Sequence, residues 1–578
     1  MNLTTHNGLL CSYAKRLALI IAMPVLLNKG YAQQSQQRYN VILISLDDMN
    51  EKTEYLGYPA VLTPNLQRLI KKGTAFTSAY CQFALCNPSR VSMMSGWRPD
   101  KTGVLGNNMD PALYVPANVN YLQDYLHSFG YRTERYGKIY HGQFEYEFSW
   151  DYAEGGSSNN FAKNVNEGLT NFEPASWGIY PRKDSGGDYT LVQDLVSSLK
   201  QNRTQPGFYA LGLGVHNPFT PNLSNWNKYG DPSVKVELPF WQSPLTVKGN
   251  SARTIQIPDN TPANDRNDIP AIAFFANNTV VQSDSEWRKT VQAYYGEVST
   301  MDRNLGILLD EMDKDHLWDN TVVVVVSDHG QQLGEHNGLW LKNTLFEESI
   351  HIPFIIYAPG KPAGICDKFV EIVDVYPTIT ELCKVPTPVD VEGSSLVRLL
   401  DNPLQTWKRA SFTQTAPGPQ FPLVTKCEAI RNERYHYNYW GVYGEELYDR
   451  QNDPNEWTNV VSNASYSSVL NQMRTIRQQG WQNSRPPACD STVYYLDADG
   501  DGYGSNDKFF KGCYQPFGYV IASGDCNDSD ATINPGAAEI CDGIDNNCNG
   551  QIDEGAQLPF YNDSDHDGYG NIHNRVFP

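Results

Sequence analysis

Val41–Leu46 (VILISL) runs into Asp47-Asp48, and Val322–Val326 (VVVVV) runs, one serine later, into Asp328-His329. Apolar runs without alternation predict strands covered on both faces. Ahead of the second run, Val291, Tyr294, Val298, Met301, Leu305, Leu308 and Met312 recur every three or four positions and predict an amphipathic helix. A shorter helix is expected over Asn65–Gly73 (NLQRLIKKG), stopped by its glycine. Strands alternating with helices predict an α/β domain with a large, mostly parallel sheet. Ligands of such sheets gather at the carboxyl ends of the strands. Both acidic pairs fall there, so they are expected to meet although far apart in sequence. Further along, AIRNERYHYNYW and EELYDRQNDPNEWTN read as short strands and a turn. They predict a smaller C-terminal α+β subdomain over 366–482, following a main domain over 33–365. NSRPPACD reads as a linker into a separate, loop-rich region over 483–578.

Composition changes this picture at the two ends. The 578 residues exceed one typical core, and 40% hydrophobic content suits a globular chain. Net charge is −20. From Pro486 onward there are 16 Asp+Glu against 3 Lys+Arg, a net of −13, leaving 49 against 42, or −7, for the rest. No basic surface for nucleic acid is in view. At the N-terminus, Lys15 and Arg16 precede the apolar run Leu17–Leu27, followed by NKGYA. That order predicts a signal peptide over 1–32, cleaved after Ala32, and an exported protein of the periplasm, cell surface or medium. The run is too short for a transmembrane helix, and no later stretch is long enough. Five of the eleven cysteines, Cys489, Cys513, Cys526, Cys541 and Cys548, fall in the acidic tail. Disulfides are expected there with pairing open, and Cys366, Cys383 and Cys427 are possible partners for the odd one.

The tail repeats a pattern. DADGDGYG sets Asp497, Asp499 and Asp501 at alternate positions before a glycine. DSDHDGYG does the same with Asp563, Asp565 and Asp567, and DNNCNG with Asp545, Asn547 and Asn549. Alternating oxygen ligands before a sharp glycine turn suit Ca²⁺, the alternative being an acidic, solvated linker. The bidentate Glu that closes an EF-hand loop is not clearly present. The loops resemble type-3 thrombospondin calcium repeats, and CDGIDNNCNG resembles a cysteine-bearing metal-binding motif of secreted bacterial proteins.

CQFALCNPSRVSMMSG poses the chemical question of why Cys86 is kept. It reads as half of a disulfide, as a thiolate nucleophile, or as a residue to be modified. A cysteine-dependent phosphatase needs Cys-x5-Arg, and here Arg90 comes too early and the loop glycines are missing. CNPSR followed by a small-residue glycine turn resembles the signature of the formylglycine-dependent sulfatases. Further likeness lies in LDD (Asp47-Asp48), GKIYH (Lys138–His141), GVHNPF (His216), SDHG (Asp328-His329), LWLKNTLFEESIHIPFIIYAPG (Lys342) and ELYDRQNDPNEWTN. It covers roughly Tyr39–Gln482, and His after Asp328 is similar to the iduronate-2-sulfatase and choline-sulfatase branch.

The resemblance implies an alkaline-phosphatase-like α/β sandwich and conversion of Cys86 to formylglycine by a maturation enzyme. It implies a cation, Ca²⁺ rather than Mg²⁺, held by Asp47, Asp48, Asp328, His329 and the modified Cys86. Elementary chemistry agrees: Pro88 suits the first turn of a helix, a helix N-terminus favours negative charge, and carboxylates suit a hard cation. The hydrated aldehyde would attack sulfur, with Arg90, Lys138 and Lys342 offsetting charge on the sulfuryl oxygens. His216 would protonate the leaving alcohol and His141 assist expulsion of sulfate. His336 and His351 lie near the site in sequence and are structural or touch substrate. Arg182 and Lys183 are candidates to hold a sulfated glycan. The expected function is an exported sulfatase acting on a sulfated poly- or oligosaccharide, an algal polysaccharide such as ulvan among them. Two rivals remain: a phosphomonoester or phosphonate hydrolase of the same fold, and a calcium-dependent glycan-binding protein with an inactive body.

Overall fold

The computed structural model describes residues 38–58, 61–146, 148–155, 187–201, 204–215, 262, 265–274, 284–416, 426–556, 560–561, 564 and 575–576. The expected signal peptide, Arg182, Lys183, His216, Asp563, Asp565 and Asp567 lie outside these residues. One compact unit runs from Arg38 to Pro487, and the tail from Ala488 belongs to a second.

The first unit is built on an eight-stranded sheet. Its strands are β1 (Asn40–Asp47), β2 (Thr74–Tyr80), β3 (Arg132–Tyr136), β4 (Tyr152–Glu154), β5 (Gly207–Gly214), β6 (Thr321–Ser327), β7 (Phe354–Tyr357) and β8 (Gly364–Glu371). They lie in the order β8-β2-β7-β6-β1-β5-β3-β4. All neighbours are parallel except β7, which runs antiparallel to both β2 and β6. The sheet therefore continues past the domain boundary expected at residue 365, with β8 paired to β2 at its edge. Its first five residues, Gly364–Lys368, include one buried position only and carry Asp367 and Lys368, which hid the strand among the polar segments that follow.

Period-two alternation divides the core into two layers. Val41, Leu43, Val322, Val324 and Val326 face one layer, with Val91, Met94, Tyr376 and Ile379. The latter come from α2 (Cys86–Ser95) and α5 (Val375–Leu382). Ile42, Ile44, Val323 and Val325 face the other layer. There they meet α1 (Pro64–Ile70), α3 (Gly187–Leu199) and the long helix α4 (Asp284–Lys314). Each of the five β6 valines is fully buried, a gain of about 1.5–3 kcal/mol apiece over exposure. A charge at Val324 would break this strand.

A second sheet of β9 (Ser411–Thr415), β10 (Cys427–Arg431), β11 (Tyr435–Tyr439) and β12 (Glu445–Asp449) is antiparallel throughout. It shares a third small core with α6 (Ser467–Gln479) through Phe412, Ile430, Leu447, Leu470 and Met473. It is fastened to the segment before Cys86: Thr413 Oγ1 donates to the Cys81 carbonyl at 2.6 Å, and Gln414 N to that of Gln82 at 2.8 Å. Beside this junction Glu371 is buried between Arg98 (Nη2, 2.7 Å) and Lys408 (Nζ, 2.7 Å).

In the tail, β13 (Thr492–Leu496) pairs with β15 (Phe509–Gly512) and β16 (Tyr519–Val520), and β14 (Gly504–Ser505) with β17 (Ser523–Asp525). Disulfides join Cys489 to Cys513 and Cys526 to Cys548. Cys366, Cys383 and Cys427 are buried free thiols in the first unit, so none of them partners the tail. Their apolar surroundings suit a small hydrophobe. Among the described residues no helix is long and apolar enough to cross a membrane.

Candidate active site

The strand order brings the two acidic pairs together. β1 and β6 are adjacent and in register, with Leu46 opposite Ser327, so Asp47-Asp48 and Asp328-His329 leave the same sheet end side by side. Asp48 takes a positive φ of 60°. Its N–H donates to Asp328 Oδ1 at 3.2 Å, and its carbonyl accepts from Tyr294 Oη at 3.0 Å. The next N–H, of Met49, donates to Ser327 Oγ at 3.1 Å. Because β7 is antiparallel to β6, the chain from Asp328 to Pro353 leaves and returns at this end. That excursion carries His329, His336 and Lys342.

Cys86 opens helix α2, with Pro88 in its first turn as expected. It is 2% exposed, and its Sγ lies 3.2 Å from His329 Nε2. Next to it, Asn87 N donates to Asn107 Oδ1 at 3.0 Å, and Ser89 Oγ to the Asp328 carbonyl at 2.5 Å. These bonds pin the helix start against the end of β6. Burial alone would raise the Cys86 thiol, but Lys138, Lys342 and His329 overcome it and hold the thiol well below its ordinary value.

Arg90, one turn into the helix, departs from expectation. Its guanidinium is fully buried and its three nitrogens all meet protein oxygens. Nε donates to Asp328 Oδ2 at 2.7 Å, Nη2 to Asp47 Oδ1 at 2.9 Å, and Nη1 to Ser45 Oγ and the Lys138 and Ile139 carbonyls at 3.2, 2.8 and 3.3 Å. It clamps two carboxylates and the Lys138 loop; it does not face a sulfate. Lys138 Nζ spans both oxygens of Asp47 at 2.7 and 2.8 Å, and Lys342 Nζ donates to Asp48 Oδ1. Burial opposes the charge of Lys342, but Asp48 and Cys86 more than offset it and its pKa rises.

A divalent cation fits this donor set. Asp48, Cys86 and His329, and likewise Asp47, Cys86 and Asp328, each bring their ligand atoms within 4.8 Å of one another. His329 Nδ1 lies 2.8 Å from the Gly330 carbonyl, which can only accept, so Nδ1 carries a proton. Its Nε2 then points at Cys86 and, at 3.3 Å, at Asp48 Oδ1. Burial lowers the His329 pKa, but Asp328 and Cys86 outweigh it and bring it to about 9. The three carboxylates are hard oxygen ligands of the kind Ca²⁺ or Mg²⁺ takes; an imidazole is a less usual ligand for either, and His329 would have to release its Nε2 proton to serve as one.

His141 is half-buried, and its Nδ1 is buried without a hydrogen-bond partner. His351 stacks on Tyr80, with Nε2 3.0 Å from the Thr77 carbonyl. His336 stacks on Phe346 and meets Asp265 Oδ2 at 3.1 Å. Both make structural contacts. Tyr294, Ser327 and Asn107 escaped the sequence reading; Tyr294 had counted only as part of the apolar face of α4.

In the tail, Asp497, Asp499 and Asp501 converge within the same 4.8 Å limit. Asp545 accepts from Asn549 N (3.1 Å) and Gly550 N (2.7 Å), so the second loop closes on its own backbone.

A mostly parallel sheet with a buried cysteine among three carboxylates at the carboxyl ends of its strands is the arrangement of the alkaline-phosphatase-like hydrolase fold. A family model described as Sulfatase matches residues 39–385, more than half the chain. A second, N-sulphoglucosamine sulphohydrolase C-terminal, matches 334–481, and a metal-binding motif matches 525–554. A sulfatase of Formosa agariphila is 28% identical over 78% of this chain and 88% of its own length. Iduronate 2-sulfatase of Mus musculus is 24% identical (75% and 93%), and an ulvan-active sulfatase of F. agariphila 25% identical (79% and 84%). Among solved structures, a phosphonate monoester hydrolase of Agrobacterium radiobacter shares the fold, with a TM-score of 0.62, 20% identity, and coverage of 76% and 96%. The chain belongs to the sulfatase family and is a sulfuric ester hydrolase. Sulfatases generally use a formylglycine residue and a metal ion, and the Asp48–Cys86–His329 and Asp47–Cys86–Asp328 groups could hold an ion here.

Proposed function

We propose that this chain is an exported sulfatase that removes sulfate from a sulfated poly- or oligosaccharide, an algal polysaccharide such as ulvan in particular. Cys86 is its formylglycine precursor and Ca²⁺ its cation. The observation that carries the reading is the setting of Cys86: buried at a helix start, 3.2 Å from His329, and ringed by Asp47, Asp48 and Asp328. The names of the relatives, ulvan-active sulfatase and iduronate 2-sulfatase, support a sulfated carbohydrate.

Asp47, Asp48, Asp328 and His329 would hold the cation, which supplies Lewis-acid stabilisation of developing negative charge. Formylglycine, once hydrated, supplies the nucleophilic oxygen. Lys138 and Lys342, part-exposed above the acids, offset charge on the sulfuryl oxygens. Arg90 is a positioning residue that holds Asp47 and Asp328 aligned. His141, with its free Nδ1, is placed to move a proton, and His216 is the candidate acid for the leaving alcohol. An intact set of charges around Cys86 weighs against a glycan-binding protein with an inactive body.

The test is a panel of sulfated oligosaccharides and matching phosphate and phosphonate esters, offered to protein made with a maturation enzyme. Sulfate release that Cys86→Ala abolishes supports the reading. Faster turnover of the phosphorus esters would move the chain to the phosphonate hydrolase side of the fold.

A further inference from the structure

The Asp497 loop is one carboxylate short. Its first, third and fifth positions are Asp497, Asp499 and Asp501, and the seventh would offer the Tyr503 carbonyl. The twelfth, where such loops carry their closing acid, is Lys508, which cannot ligate a cation. Acid arrives from elsewhere. Pairing of β14 with β17 sets Ser505 beside Asp525, and Asp528 Oδ1 accepts from Ala498 N at 2.7 Å, inside the loop itself. Asp525 is only 6% exposed, and its Oδ2 is buried with no hydrogen-bond partner. The same is true of Oδ2 on Asp499, Asp501 and Asp528. Four carboxylate oxygens are thus withdrawn from water with no donor, a costly arrangement that a cation would relieve. Asp497 spends its own oxygens on the loop: Oδ1 takes Gly500 N at 2.7 Å and Oδ2 takes Gly502 N at 3.1 Å, which fixes the turn.

We propose that Asp525 and Asp528 complete the Asp497–Asp501 loop as one site for a cation of Ca²⁺ type, shared between the two acidic motifs of the tail. The Cys526–Cys548 disulfide follows Asp525 directly and ties the lending segment in place. The site joins a loop outside the matched metal-binding motif to residues at its start.

Ca²⁺ binding to the full chain, stripped by chelator, is measured by calorimetry for wild type, Asp525→Asn and Asp528→Asn. Each variant is expected to lose one equivalent, or to bind it about tenfold or more weakly, with sulfate-ester turnover unchanged. Wild-type stoichiometry and affinity in both variants would overturn the shared site. Lys508→Glu returns an acid to position twelve and is expected to restore the equivalent to Asp525→Asn. If it does not, although the Cys489–Cys513 and Cys526–Cys548 disulfides map correctly, the shared site is equally overturned. The readout is bound cation, so it stands apart from whether the body hydrolyses sulfate.

Discussion

Around Cys86 each buried carboxylate leans on a cationic side chain, whereas in the tail Asp499, Asp501, Asp525 and Asp528 each keep an unanswered oxygen. Asp47 has Arg90 and Lys138, Asp328 has Arg90, and Asp48 has Lys342. The tail aspartates have backbone amides and one another. Burial and Asp501 raise the Asp499 carboxyl, and burial with Asp501 and Asp528 raises Asp525. The difference teaches where order comes from. The acids around Cys86 are held in place by the protein's own charges. The tail acids are held by backbone amides and a disulfide, and on the inference above only a cation would answer their remaining oxygens.

The largest effect expected is on chemistry. Cys86→Ala removes the nucleophile precursor and should cut turnover roughly 10⁴-fold or more without lowering the melting temperature much. Arg90→Gln strikes the charge-held side of the comparison. It leaves Asp47 and Asp328 buried without their shared counter-charge, so about 3–5 kcal/mol of stability should go along with activity. Unchanged thermal unfolding of this variant would refute the clamp. Lys342→Ala should cost about 10²–10³-fold in kcat, with a smaller stability change because Lys342 is part-exposed. Chelation should then separate the units. The body keeps its far-UV spectrum, and limited proteolysis opens the tail between residues 488 and 556. Equal protease resistance with and without chelator would erase the contrast.

The smallest effect concerns acid. Burial would raise Glu371, but Arg98 and Lys408 hold it down to about 2 from an ordinary 4.5. A carboxyl depressed by folding contributes above its unfolded value and loses that contribution as pH falls toward the folded one. Stability should therefore drop between pH about 4.5 and about 2, and Glu371→Gln should flatten this part of the melting-temperature profile.

Much of this was readable in the chain. VILISL and VVVVV gave two central strands, because full burial leaves only apolar choices, and their terminal acids marked the functional end of the sheet. The heptad-like spacing in α4 was equally plain. β7 was not read as a strand, since its four apolar residues sit inside a stretch noted only for its family likeness, and such a short run carries no direction. The direction of the Arg90 guanidinium was hidden for a related reason. The CNPSR spacing fixes where the side chain starts, and only the neighbouring strand ends decide where its donors go. Asp525 and Asp528 read as ordinary acids until β14 and β17 paired. Tyr294 looked apolar because the helical period records a face and not what a hydroxyl at its rim will meet.

One measurement bears most directly on the central claim that Cys86 is raw material for the nucleophile. It is the mass of the tryptic peptide Gly73–Arg90 from protein made alongside a sulfatase-maturing enzyme. A thiol replaced by an aldehyde or its hydrate at Cys86, with Cys81 untouched, is the result expected. An unmodified Cys86, in a host that matures a control sulfatase, would contradict the account and leave the site without its nucleophile.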